Sequence, residues 1–295
     1  MGSPSIAHYG TTIIEAAPPE GAVQKEVPRS GDLARTLRFL EIMGFKPLIE
    51  NMYAGIGRQY IWHRGNQADV DYIEFDAFTS YRAVERPATD RPRVGDTMFR
   101  MTHKYPRGLF EAWRTEGLIT PIACQAELDA FLGGDTDWIM FRGPNGQMME
   151  LGPTQRTRAE NHAIFIWTDP AEAAQTAADF RDQFGMEDIG TGDFHGQADV
   201  HYLRRMIPGV TIGLLTPKAG QRVEPRWTED IFLESGYSHY RLGSPDKART
   251  LTASREAFPA GGDVSFVYFH QSYLELVQVE ADDPACADEL PRAAE

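Results

Sequence analysis

The chain has 295 residues, 42% of them hydrophobic and 24% charged, a balance that fits a folded globular protein and excludes a disordered one. Acidic residues outnumber basic ones 43 to 29, a formal charge of −14 with no Lys/Arg cluster to offset it, which argues against nucleic acid as a partner. Two cysteines exclude a disulfide framework, and Cys124 reads as a small apolar core residue rather than a nucleophile; Cys286 falls in a polar tail. No apolar run approaches the ~18 residues of a membrane span, and no charged segment followed by an apolar signal core opens the sequence. The expected setting is therefore the cytoplasm, without a membrane partner.

In chain order, Asp32 is placed to cap a helix with Leu33, Leu37, Leu40 and Met43 on one face, closed by Gly44-Phe45. Strands follow around Arg58 to His63 and Asp71 to Phe75. The strand that opens this unit falls around Gln24, or at Ile6 to Ile14, where it would carry His8. A second unit begins near Thr97 to Thr102, runs through a helix from about Arg107 to Glu116, and ends in apolar strands around Gly143-Pro144-Asn145-Gly146, where Asn-Gly suits a type I′ hairpin. Pro153 to Glu160 is polar, lacks apolar periodicity, and marks a boundary between halves.

The third unit starts at Asn161 with an alternating strand to Trp167. Thr168-Asp169-Pro170 then signals a helix start, and Ala173, Ala177, Phe180 and Phe184 form one helical stripe ending at Gly185. Strands Asp188 to Gly192, Val200 to Met206 and Val210 to Leu215 complete it. The fourth repeats this order: a strand from Tyr237, Ser244-Pro245-Asp246, a helix Lys247 to Ala257, then strands Val264 to Phe269 and Tyr273 to Val279. Four similar strand-helix-strand units point to a repeated architecture.

Within the last two units, His162, His239 and Glu275 fall on strands at corresponding places. Two imidazoles and one carboxylate are the ligand set that leaves half of an octahedral metal open, as in non-haem Fe(II) oxygenases. An ionised Glu275 between Leu274 and Leu276 is costly to bury without a cation. Period-two alternation equally permits it to point outward from an edge strand. Proton transfer beside such a metal calls for a histidine. His201 is preferred because a strand holds it, with His195 and Asp199 close enough to orient it; His195 and His270 are the other candidates. Tyr273, Tyr268 and Arg241 offer hydrogen bonds to a bound anion, Tyr273 being the one taken forward.

Three segments resemble the vicinal-oxygen-chelate superfamily of glyoxalases, bleomycin-type resistance proteins and extradiol dioxygenases. Phe39-Leu-Glu-Ile-Met-Gly-Phe45 looks like its helix end, Phe141-Arg-Gly-Pro-Asn-Gly-Gln-Met-Met-Glu-Leu151 like its last hairpin, and Asn161-His162 with Thr168-Asp169-Pro170 like its first strand and helix start. The resemblance spans about residues 22 to 280. It implies an α+β fold of four βαβββ modules paired into two half-barrels: an N-terminal domain over 1–155, a C-terminal one over 156–280 holding the metal, and a polar tail over 281–295.

The layout is most similar to two-domain extradiol dioxygenases. That implies His162, His239 and Glu275 as ligands of Fe(II), with Mn(II) or another divalent ion as substitutes. It also implies a cytoplasmic homo-oligomer that uses dioxygen to cleave a catechol-like or hydroquinone-like aromatic in aromatic compound catabolism. The N-terminal cup has Glu150 at the last-strand position but no imidazole around Gln24 or Thr97, unless His8 supplies one, and reads as structural. The gap from His162 to His239 is longer than in that group, the gap from His239 to Glu275 is shorter, and Phe269-His-Gln-Ser-Tyr273 lacks the usual Gly/Pro turn. Two other functions stay open. One is a glyoxalase-like metal-dependent lyase or isomerase. The other is a non-enzymatic protein that binds an aromatic ligand, with Trp62, Trp113, Trp138, Trp167 and Trp227 available.

Overall fold

The computed structural model describes residues 9–14, 31–53, 57–66, 69–78, 91–144, 146–154, 163–205, 210–225, 236–244, 246–253, 257–259, 264–270 and 272–278. The first module runs β1 (Tyr9–Ile14), α1 (Gly31–Ile42), β2 (Lys46–Tyr53), β3 (Gly57–Asn66) and β4 (Asp69–Phe78). The second runs β5 (Thr97–His103), α2 (Pro106–Thr115), β6 (Thr120–Pro121), α3 (Gln125–Gly133), β7 (Ile139–Arg142) and β8 (Met148–Pro153). The third contains β9 (Ala163–Trp167), α4 (Ala173–Phe184), β10 (Glu187–Phe194), β11 (Ala198–Arg205) and β12 (Val210–Pro217). The fourth contains β13 (Gly236–Ser244), α5 (Lys247–Ala253), β14 (Ala257–Pro259), β15 (Val264–Phe269) and β16 (Ser272–Gln278).

These modules pair into two eight-stranded sheets, ordered β14-β15-β16-β13-β1-β4-β3-β2 and β10-β11-β12-β9-β5-β8-β7-β6. The α+β class and the paired half-barrels expected from sequence are present. The partners are the first module with the fourth, through β1 and β13, and the second with the third, through β5 and β9. A division at 1–155 and 156–280 therefore cuts across both sheets. Sequence repetition identifies the modules, but the edge each one offers is settled by three-dimensional pairing.

One apolar core serves both sheets. It collects Phe39 and Leu40 of α1, Phe110 and Trp113 of α2, Phe180 and Phe184 of α4, Ile164, Ile166, Ile212 and Leu214 of the second sheet, and Tyr240, Leu242, Leu274 and Leu276 of the first. Trp113 stacks on Phe39 with ring centroids 4.4 Å apart, and its Nε1–H donates to the Phe39 carbonyl at 3.2 Å. The stop of α1 follows from Gly44-Phe45. Gly44 takes φ +84°, its N–H donates to Glu41 O, and the Phe45 N–H donates to Leu40 O, so two helix-end carbonyls are satisfied and Phe45 drops onto Leu40.

Several local expectations need correction. Pro144 sits at the second position of the turn Gly143–Gly146, closed by the Gly146 N–H donating to Gly143 O. Proline fixes φ near −65°, which excludes the type I′ turn expected there; Gly146 instead takes φ +79° before β8. The last helix ends at Ala253, and Ala257 already pairs with Val267 in the sheet. Cys124 is exposed rather than buried, standing before α3, where its N–H donates to Glu127 Oε2 at 2.8 Å. The opening strand is β1, not a segment around Gln24; Gln24 and His8 lie outside the described residues.

Candidate functional site

In the first sheet, alternation separates two faces. Tyr240, Leu242, Leu274 and Leu276 are buried in the core, and Ser244, on the same face, donates its hydroxyl to Gln183 O of α4. His239, Arg241, Tyr273 and Glu275 therefore occupy the opposite face, the inner face of the half-barrel. Parallel pairing sets Arg241 beside Glu275, and antiparallel pairing sets His239 beside Thr12. Thr12 is in turn paired with Glu74 of β4. Neighbouring strands stand about 4.8 Å apart, so Glu74 and His239 flank β1 at roughly 10 Å between backbones, with Glu275 one strand beyond His239. Asp76 and Tyr72 share the Glu74 face by the same alternation.

By register, the backbone positions of His239, Tyr273 and Glu275 lie on the adjoining strands β13 and β16, and that of Glu74 lies across β1 from His239. His162 lies outside the described residues, and the strand that follows it, β9, belongs to the second sheet. Sequence reading misses Glu74 because it pairs the first module with the second instead of the fourth. A signal for it is present: it is a carboxylate on the last strand of its module, as Glu275 is on its own. An imidazole nitrogen and two carboxylates form a mixed donor set that suits a divalent first-row ion. These residue types are ones that would suit a divalent ion. Among the described residues whose side chains are placed, no group of three or more His, Cys, Asp or Glu forms such a cluster.

The second sheet has a different inner face. Met98, Ala163, Phe165, Trp167, Phe194, Ala198, Val200 and Leu215 fill it with a second apolar cluster. Beside that cluster is an ionic group. Arg100 and Glu150 are register partners on β5 and β8, and Arg100 Nε donates to Glu150 Oε2 at 2.5 Å. Arg100 Nη1 donates to the Tyr202 hydroxyl at 3.1 Å. Its guanidinium carbon lies 4.3 Å from the centre of the Trp138 ring and 4.7 Å from that of Phe165. Glu150 is fully buried and accepts a second bond, from His195 Nε2–H at 2.5 Å. Burial alone would push the Glu150 carboxyl up, but the His195 hydrogen bond and the Arg100 charge outweigh it and hold the group below the usual carboxylate range.

His195 reaches Glu150 because of its turn. Phe194 to Gln197 closes the β10–β11 hairpin, with Gln197 N–H donating to Phe194 O and with φ +48° at His195 and +68° at Gly196, the type I′ pattern. His201 is elsewhere. It shares the core-side face of β11 with Leu203, and its Nε2–H donates to Asp188 at 2.5 Å near solvent. That bond, with the Gly190 N–H, holds the Asp188 carboxyl low. His270, at φ +45° between β15 and β16, donates through Nε2–H to Asp179 Oδ2 at 2.7 Å and meets Thr176 Oγ1 at 3.2 Å, tying that hairpin to α4. The three candidate proton carriers thus occupy three different places, with His195 and His201 on opposite faces of one sheet.

The fold is similar to glyoxalase I from Zea mays, with TM-score 0.51 at 15% identity over 92% of each chain. A single-site mutant of that maize enzyme gives TM-score 0.55 at 15% identity, again over 92% of each chain. A mutant of 4-hydroxymandelate synthase from Streptomyces coelicolor aligns over 95% of this chain and 96% of its own at 13% identity, with TM-score 0.31. No protein-family model and no curated protein matches the sequence. Among the described residues, no helix is long and apolar enough to cross a membrane.

Proposed function

Since the chain has the vicinal-oxygen-chelate fold, we propose that it is a metal-dependent enzyme of the glyoxalase-like lyase or isomerase kind, acting on a small carbonyl compound at the inner face of the first sheet. One observation carries this reading: β1 sets Glu74 and His239 on its two sides at the level of Thr12, with Glu275 on the next strand of the same face. His239, Glu275 and Glu74 would hold the divalent ion. Such an ion, when bound, polarises a carbonyl oxygen and stabilises negative charge developing there.

The rest is the work of protein groups. Arg241 and Tyr273, on the same face, offer a guanidinium and a hydroxyl to the substrate's oxygens, fixing its orientation. The carboxylate of this face not used to hold the ion, Asp76, would accept the proton from the carbon beside the carbonyl and return it to the neighbouring carbon. The ring-cleaving alternative rests on two imidazoles with one carboxylate, whereas the set proposed here would have one imidazole and two carboxylates.

The test is activity after reconstitution with Ni(II), Co(II), Zn(II), Fe(II) or Mn(II), with hemithioacetals and related hydroxycarbonyl compounds and with catechols in an oxygen electrode. Turnover without oxygen uptake that survives Ni(II), Co(II) or Zn(II) supports the proposal. Oxygen consumption with catechols that requires Fe(II) or Mn(II) would replace it with the dioxygenase reading.

A further inference from the structure

The fold supplies two inner faces, and the second differs from the first in a way that bears on metal stoichiometry. Its buried carboxylate, Glu150, is already engaged on both oxygens, by the guanidinium of Arg100 and by the imidazole of His195. Arg100 is itself nearly buried, clamped between Trp138 and Phe165 and bonded to Tyr202. An arginine has no lone pair to give a metal, and it stays charged at any pH a protein survives. The surrounding space is taken by apolar side chains, including Phe194, which enters on the same hairpin as His195.

We propose that Arg100 is the resident cation of this second cup: its guanidinium holds the place beside Glu150 that a divalent ion would otherwise take, so the cup is closed to metal. His195 acts as the plug, held to Glu150 by a left-handed turn residue that keeps the β10–β11 hairpin over the cup. Lys218 pairs with Asp193 and anchors the base of that hairpin, and the Gly196 N–H donates to Asp193 Oδ2 at 2.8 Å. This inference concerns residues that the proposed function does not use and stands independently of it.

Metal counting tests it. Wild type, Arg100→His, Arg100→Lys and the double variant Arg100→His with Glu150→Gln are dialysed against Co(II), and bound metal per chain and visible absorption are measured. Arg100→His should gain one equivalent over wild type, with a new Co(II) absorption band, because two imidazoles and one carboxylate then meet in the cup. Arg100→Lys and the double variant should gain nothing. A folded Arg100→His protein with wild-type stoichiometry would overturn the proposal.

Should Arg100→His not fold, wild type decides. Glu150→Gln must leave its metal content unchanged, and loss of an equivalent would mean that the second cup does bind metal. Wild type with no metal beside Arg100→His with one would remove the proposed function and leave this inference standing.

Discussion

Replacing Arg100 with Met leaves Glu150 as a carboxylate at 0% exposure with the His195 imidazole still bonded to it. At 2.5 Å and an effective dielectric of about 20, the lost attraction is roughly 7 kcal/mol, set against a desolvation penalty of several kcal/mol per ion. The intact pair is therefore worth little net, but a broken one strands a buried charge. The expected loss for Arg100→Met is about 3–5 kcal/mol in urea unfolding followed by circular dichroism at pH 7. Replacing both partners, Arg100→Met with Glu150→Leu, should recover most of that loss, since two apolar side chains extend the adjoining cluster. The single variant should also lose less at pH 4 than at pH 7, because an unpaired Glu150 can then take a proton. A single variant costing under about 1 kcal/mol, or a double variant as unstable as the single, would refute the buried ion pair.

In wild type the Glu150 carboxyl titrates below its unfolded value, so its contribution is complete above about pH 4.3 and is lost as pH falls through the lower folded value. Glu150→Gln should flatten that acid limb in a stability profile from pH 7 to pH 2. Gly213→Ala should cost about 1–3 kcal/mol, because a methyl there meets the Phe165 ring and Val200, whereas alanine at Gly196 meets no neighbour and its cost comes from the positive φ. His270→Ala should cost about 1–3 kcal/mol and raise hydrogen exchange in α4 and the β15–β16 hairpin together, since its bonds to Asp179 and Thr176 join them.

The modules are legible in the sequence because their signals are local. The Ala173, Ala177, Phe180, Phe184 stripe and Gly185 give α4 to within a residue of each end, and Gly44-Phe45 gives the stop of α1. Module pairing is not legible. Each module exposes an edge first strand, and which two edges meet depends on contacts between residues as distant as Thr12 and His239. That gap explains the site as well. His239 and Glu275 are singled out in the sequence by their places in the last module, whereas the register neighbour of His239 across β1, Glu74, is far away in sequence. The Arg100, Glu150 and His195 group is equally hidden: Arg100 reads as an ordinary strand residue until β8 and the His195 turn are set against it. Glu150 stands out by its last-strand position, though without a partner. A rigid strand favours His201 in the sequence, and alternation along β11 places it on the face away from that group.

Metal content measured on protein purified without oxygen tests the central claim most directly, in wild type beside His239→Ala, Glu275→Gln, Glu74→Gln and His162→Ala. The pairing of the first module with the fourth predicts about one divalent ion per chain in wild type and in His162→Ala, and a loss of at least tenfold in affinity in the other three. Metal that survives in Glu74→Gln and His239→Ala but disappears from His162→Ala would contradict the account.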